Sequence, residues 1–166
     1  MRHTTVLWSL VFAMLATTHP AKAIDDPAGA ATLAGLAGVF VDVEDFKPLQ
    51  EQAGFQRQTF LTDVELKLRL AGIKVLTRDQ SIKIGGSLLI LSVTALHSTP
   101  GEQAAFCVHL ALIQGVILQR DPTQYFAAPT WTTEKVGYGN LKFAREAVKD
   151  EVDAFINAWL SVHPKK

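Results

Sequence analysis

The feature of this sequence that most constrains its fold is a long apolar stripe near the carboxyl end. Between Asn140 and Pro164, apolar residues recur at steps of three and four, which places them on one side of an α-helix. Asn140 can cap the start of this helix, and Pro164 ends it. We expect the stripe to cover one face of a sheet; the alternative is a helix on a membrane surface. The stripe consists of Leu141, Ala144, Val148, Val152, Phe155, Trp159 and Val162.

A second amphipathic helix is predicted over residues 56–71. Its apolar residues follow the same spacing, and they are Phe60, Val64, Leu68 and Ala71. The helix could instead start at Asp63, after a capping box at residues 62–65, but the earlier start lets Phe60 join the stripe. Gly72 can end the helix in the left-handed conformation, and an extended segment follows at residues 73–77.

Five strands are predicted from alternating or continuous apolar runs, at residues 36–44, 73–77, 87–96, 105–119 and 124–133. Residues 46–54 are expected to form a connection, residues 78–86 a loop, and residues 98–102 a hairpin turn. Gly115 would mark a bulge or bend in the fourth strand, and Pro129 an interruption of the fifth. The expected fold is therefore α+β, with a single mixed sheet of about five strands and two main helices on one face, in the order β-α-β-β-β-β-α.

The first 23 residues have the pattern of a signal peptide. Arg2 precedes an apolar stretch at residues 6–15, and Ala21 and Ala23 stand at the positions that a signal peptidase reads. The stretch is too short for a membrane anchor, which needs about 20 residues. We expect cleavage after Ala23, a flexible leader at 24–35, and one α+β domain at 36–166 in the periplasm or outside the cell. The alternative is a buried amino-terminal helix.

Composition excludes several classes of protein. A chain of 166 residues is suited to one domain. Its 16 basic and 16 acidic residues balance, which argues against a nucleic-acid partner. The single cysteine, Cys107, excludes an internal disulfide framework and a zinc finger, and leaves no lipid-attachment cysteine near Ala23. The sequence assigns neither a cofactor nor a catalytic residue.

Residues 62–78, TDVELKLRLAGIKVLTR, combine a helix, a glycine and a strand in few residues. This arrangement resembles the opening of small periplasmic α/β modules, such as the TolB amino-terminal domain and the curli-secretion lipoprotein, over about a quarter of the chain. Residues 152–164 resemble the ending of uncharacterised exported bacterial α+β proteins. The chain departs from these modules in lacking a lipoprotein cysteine and a propeller. The resemblance implies an assembly or interaction role in the cell envelope and transfers no catalytic residue.

A possible metal site lies on the third and fourth predicted strands. Cys107 and His109 are two residues apart and therefore share a face of their strand, and His97 could join them across the hairpin. These three ligand types together suit copper or zinc, and the same cysteine and histidine could serve as nucleophile and base. The alternative is that they are ordinary core residues among leucines and valines.

An aromatic segment is the second candidate. Tyr125, Phe126 and Trp131 lie outside the two helices, and they could form a recognition surface or simply pack in the sheet. The sequence therefore predicts a non-enzymatic module that binds an envelope protein or peptide through this segment or an exposed sheet edge. The alternative is a small-ligand or transition-metal carrier that uses His97, Cys107 and His109.

Overall fold

The computed structural model describes residues 27–96 and 103–164. Over these ranges the chain forms one mixed sheet of four strands with five helices. The α+β class and the single mixed sheet predicted from the sequence are thus confirmed. The predicted signal peptide, the predicted turn at residues 98–102 and the candidate ligand His97 lie outside the described residues.

Nine elements follow one another along the described chain. They are α1 Pro27–Ala31, β1 Phe40–Val43, α2 Pro48–Gln52, α3 Arg57–Leu70, α4 Arg78–Lys83, β2 Ser87–Leu96, β3 Ala104–Leu118, β4 Asp121–Gly139 and α5 Leu141–Val162. The strand order is β1-β2-β3-β4, with β1 parallel to β2 and the other pairs antiparallel. A parallel pair needs a crossover connection, and α2, α3 and α4 form it.

Helix α3 begins where the longer prediction places it. Gln56 is its N-cap, and Phe60, Val64 and Leu68 are buried on one side. The alternative start at Asp63 is wrong, because the Thr62 hydroxyl donates to the Gln58 carbonyl oxygen at 2.8 Å inside the helix instead of capping a new one. Gly72 follows the helix with φ +81°, the left-handed conformation expected for it.

Helix α5 also follows its prediction. The Asn140 side chain accepts a hydrogen bond from the backbone N–H of Lys142 at 3.0 Å, which caps the helix. Its apolar side joins that of α3 in one core, and Arg145 of α5 donates two hydrogen bonds, at 2.6 and 3.1 Å, to Asp63 of α3. No helix in the described part of the chain has the length and hydropathy that crossing a bilayer requires.

The two helices cover the same face of the sheet. Alternate residues of each strand point to that face and are buried with the helical stripes. The strand residues of this core are Val41, Val43, Leu89, Leu91, Val93, Ala95, Ala104, Phe106, Val108, Leu110 and Leu112. The apolar stripes of α3 and α5 are therefore explained by the burial of a single sheet face.

The predicted count of five strands is wrong for the described chain, because residues 73–77 do not form a ladder. They contribute one parallel bridge, Val39 with Val75, in which the Val39 N–H donates to the Lys74 carbonyl at 3.0 Å and the Leu76 N–H to the Val39 carbonyl at 2.8 Å. Pairing stops there because the chain turns into α4 directly after Leu76. The predicted order β-α-β-β-β-β-α is therefore replaced by α-β-α-α-α-β-β-β-α in the described chain.

Two predicted connections contain short helices. The Lys47 N–H donates to the Gln50 side chain at 2.8 Å at the start of α2, inside the predicted connection 46–54. Helix α4 occupies most of the predicted loop 78–86, and a reciprocal capping box between Thr77 and Gln80 begins it. In each helix a glutamine side chain, that of Gln50 or Gln80, accepts a hydrogen bond from the backbone N–H of the cap residue. Neither helix is long enough to show an apolar repeat in the sequence.

The predicted leader also differs in its described part. Pro27–Ala31 form α1, and the Leu33 side chain is fully buried in the core. The Thr32 backbone carbonyl accepts a hydrogen bond from Gln114 of β3 at 3.1 Å. Residues 27–33 thus pack on the domain that was predicted to start at residue 36.

Candidate functional site

The sheet has a second face, on the side away from α3 and α5, which we call the open face. Its residues alternate along each strand with those of the core. In the described chain α4 lies against it at the end where β2 begins, and Arg57 of α3 pairs with Asp42 at its β1 edge. The open face includes Phe40, Asp42, Leu88, Ile90, Ser92, Thr94, Leu96, Ala105, Cys107, His109, Ala111, Ile113, Gly115, Ile117, Tyr125, Ala127, Pro129, Thr132, Glu134, Val136 and Tyr138.

Cys107 and His109 lie together in the middle of the open face. Both are half-buried, so neither is a core residue of the kind the alternative interpretation expected. The register of the sheet places Glu134 directly opposite His109 and diagonal to Cys107. The Cys107 thiol donates to Glu134 Oε1 at 3.4 Å. Burial raises the pKa of the Cys107 thiol, and the hydrogen bond and negative charge of Glu134 raise it further.

These residues do not form a complete metal site in the described chain. No group of three or more histidine, cysteine, aspartate or glutamate side chains within residues 27–96 and 103–164 is arranged to hold a metal ion. His97, the third candidate ligand, lies outside these residues. The raised pKa of Cys107 also disfavours its thiolate, which is the form that a nucleophile needs.

The three aromatic candidates are not brought together. Trp131 points to the core side, where its ring meets the ring of Phe155 edge to face at 5.2 Å between centroids. Tyr125 and Phe126 are neighbours in β4, so their side chains leave opposite faces of the strand. Trp131 is therefore mainly a packing residue, while the Tyr125 and Phe126 side chains are both exposed.

Tyr125 has a specific place over β3. Gly115 pairs with Ala127, and the Tyr125 ring lies across Gly115, where a Cβ atom would overlap the ring. Gly115 therefore marks a close approach and not the bulge expected from the sequence. The irregularities in this pair of strands fall between Leu112 and Ile113 and between Ile117 and Leu118.

A pocket of about 240 Å³ lies beside Tyr125, between α4 and the open face. Its apolar wall includes Phe40, Ile82, Leu88 and Ile113, and Arg78 is the charged residue that lines it. The Tyr125 hydroxyl donates to the Gly85 carbonyl oxygen at 3.3 Å, which holds the tyrosine against the turn after α4. Sequence reasoning missed this pocket because its walls come from five separate elements, β1, α4, β2, β3 and β4.

The second candidate surface is the free edge of β4. This strand of 19 residues pairs with β3 on one side, and no strand of the described chain pairs with its other side. Its middle is interrupted at Pro129 and Thr130, where the Thr130 carbonyl accepts from the Thr32 hydroxyl at 3.3 Å. The stretch from Trp131 to Gly139 is continuous, and its open-face residues Val136 and Tyr138 are 72% and 69% exposed.

The sequence predicted a strand at residues 124–133 but not its length or its edge position. The strand extends to Gly139, directly before the cap of α5. Its edge position follows from the pairing of distant segments, which local periodicity does not report. No protein-family model and no curated protein matches the chain.

Proposed function

We propose that the chain is a binding module of the bacterial cell envelope, which holds an extended segment of a partner protein or peptide along the free edge of β4. The observation that carries this proposal is the unpaired side of the stretch from Trp131 to Gly139. In an antiparallel pair, alternate residues direct both backbone groups away from the partner strand. An edge strand therefore presents a row of donors and acceptors that another strand can satisfy.

The side chains beside this edge favour an apolar partner segment. Val136 and Tyr138 stand on the open face next to the edge, and both are largely exposed. Leu96, 72% exposed, lies in the same row as Tyr138, with Ala105 between them. A strand added beside β4 would bring every second side chain onto this face, where apolar residues would cover Val136 and Tyr138.

Charges on the two sides of the edge limit pairing with unsuitable strands. Glu134 projects on the open face and receives the Cys107 thiol hydrogen bond, while Lys135 on the opposite face reaches Asp150 of α5 at 2.5 Å. Natural proteins place such charges, and prolines, at edges to prevent unselective association. Pro122 and Pro129 do the same for the first half of β4. Trp131–Gly139 thus remains as the stretch suited to a selected partner.

The proposed location follows from the sequence pattern of residues 1–23. Removal of this segment as a signal peptide would release the domain into the periplasm, where the envelope partner would be met. No catalytic group is part of the proposal.

The test is site-specific photo-crosslinking in a bacterial periplasm. A crosslinking residue at position 136 should join the chain to one partner, and the same residue at Leu66, an exposed position on α3, should not. The crosslinked partner segment, as a synthetic peptide, should then slow amide hydrogen exchange in residues 131–139. Val136→Lys should weaken peptide binding, and Leu66→Lys should not. Equal crosslinking at 136 and 66, or peptide binding without protection of these amides, would overturn the proposal.

A further inference from the structure

The pocket between α4 and the open face has an unusual balance of polar and apolar groups. Most of its polar wall atoms already have partners. The Ser81 hydroxyl oxygen accepts from the Ser87 N–H at 2.9 Å, and the Ser87 hydroxyl donates to the Gly38 carbonyl at 2.9 Å. The Gln114 amide donates to the Thr130 hydroxyl at 2.6 Å. The lining that faces the pocket without a hydrogen-bond partner is therefore mainly apolar.

Arg78 is the exception. It lines the pocket from the first position of α4, and it makes no ion pair with any residue in the described part of the chain. By contrast, Arg57, Arg69 and Arg145 each have a carboxylate partner. A guanidinium at the mouth of an apolar pocket can pair with a carboxylate in a charge-assisted hydrogen bond.

The shape of the pocket is set by missing side chains. Gly115 leaves room for the Tyr125 ring against β3, and Gly85 and Gly86 turn the chain after α4 with φ +92° and +80°. The turn is fixed because the Gly86 N–H donates to the Ser81 carbonyl at 2.9 Å. The backbone conformation at these glycines therefore shapes the pocket.

We infer that this pocket binds a small monocarboxylic acid, with its apolar body between Ile82, Leu88 and Ile113 and its carboxylate at Arg78. The volume of about 240 Å³ lies below the ~300–1,000 Å³ of pockets for drug-sized ligands, so the apolar body must be short. Transfer of that body from water supplies the favourable free energy, and Arg78 selects the anion. This inference stands independently of the β4 edge.

The experiment is a titration of the folded protein with hexanoate, followed by NMR. Hexanoate should bind with a dissociation constant of about 1 mM or below, a modest affinity that suits so small a ligand. The amide signals of Gly85, Gly86 and Gly115 should shift most, since these glycines line the pocket. Acetate, which has the charge but no apolar body, should bind at least about tenfold more weakly, and so should 1-hexanol, which lacks the charge.

Variants separate the roles of the charge and the apolar wall. Arg78→Gln should lower hexanoate affinity about tenfold or more and leave 1-hexanol binding unchanged. Lys83→Gln removes a charge from the same helix at a position that does not line the pocket, and hexanoate affinity should be unaltered. Ile82→Ser should weaken both ligands. No shift at the glycines with hexanoate, or equal hexanoate binding by Arg78→Gln and the parent protein, would overturn the inference.

Discussion

The ring of Tyr125 lies directly over Gly115 on the neighbouring strand, and its hydroxyl reaches the Gly85 carbonyl at 3.3 Å. The backbone of Gly115 does not have a positive φ, so space alone requires a glycine there. An aromatic ring that covers a glycine across two strands replaces the missing cross-strand contact. This pair links the start of β4 to the turn after α4 and forms one wall of the pocket.

We therefore predict that Gly115→Ala destabilises the protein by about 1–3 kcal/mol, because the new methyl group must displace the Tyr125 ring. In a Tyr125→Ala background the same change should be neutral or slightly stabilising, since alanine is preferred to glycine in a strand by up to about 1 kcal/mol. Urea unfolding of the parent protein, the two single variants and the double variant gives the coupling energy between residues 115 and 125.

Gly72→Ala is the control for this cycle. Gly72 has open space around it but a φ of +81°, so alanine should cost stability equally with and without Tyr125. An equal cost of Gly115→Ala in both backgrounds would show that the ring does not require the glycine.

Local periodicity predicts the two long helices well, because each has enough turns for a stripe to be recognised. β2 has its predicted limits, and β3 differs from its prediction by one residue at each end. By contrast, α4 has six residues, which is fewer than two helical turns. Its only sequence signal is the capping-box spacing of Thr77 and Gln80. Short elements of this kind depend on a cap and on neighbours, and sequence periodicity measures neither.

The candidate site was less predictable than the fold. Alternation shows that Cys107 and His109 share a face, but apolar residues surround them in sequence, and the pattern does not tell which face the helices cover. In the structure the helices cover the face that carries Phe106, Val108 and Leu110, so Cys107 and His109 lie on the opposite face. Likewise, the free edge of β4 depends on strand order, a property of pairings between distant segments.

A buried carboxylate under β4 gives a second prediction. Glu151 of α5 is only 6% exposed, and its Oε2 accepts a hydrogen bond from the Thr133 hydroxyl at 2.5 Å. Thr133→Val removes this donor from a buried acid, so we expect a loss of about 1–3 kcal/mol in the free energy of unfolding. Urea denaturation measures it.

Thr132→Val is the matched control, because Thr132 is the next residue of β4 and its side chain is exposed on the open face. It should change stability by less than about 0.5 kcal/mol. In the double variant Thr133→Val with Glu151→Leu, where both polar partners are apolar, much of the lost stability should return. If Thr133→Val lowers the free energy of unfolding no more than Thr132→Val does, the hydrogen bond between Thr133 and Glu151 does not stabilise the fold.

The capping box of α4 gives a third prediction. The Thr77 hydroxyl accepts from the Gln80 N–H at 3.3 Å, and the Gln80 side chain accepts from the Thr77 N–H at 3.0 Å. Thr77→Ala should cost about 1 kcal/mol and should speed amide exchange at Ser81, whose N–H donates to the Thr77 carbonyl. Thr77→Ser should leave both the stability and the amide exchange rate at Ser81 unchanged. Unchanged exchange at Ser81 in Thr77→Ala would mean that packing alone holds α4.

The thiol of Cys107 gives the last prediction, on pH dependence. Its pKa is raised in the folded protein, first by burial and then by the Glu134 carboxylate. Ionisation of the thiol therefore favours the unfolded chain. The stabilising contribution of the neutral thiol is complete below about pH 8.5, the ordinary pKa of cysteine, and is lost as the pH rises through the higher folded-state value. Stability should thus fall more between pH 8 and 10 in the parent protein than in Cys107→Ser.

Alkylation by iodoacetamide tests the same shift directly, because only the thiolate reacts. At pH 8 the folded protein should react more slowly than the chain unfolded in urea, and Glu134→Gln should accelerate the folded protein at least about twofold by lowering the thiol pKa. Glu146→Gln is the control, since Glu146 pairs with Lys149 on the surface of α5. Equal rates for Glu134→Gln and Glu146→Gln would show that the carboxylate opposite His109 does not set the protonation of Cys107. The raised pKa would then have to come from burial in the sheet and from the negative charge of Glu151.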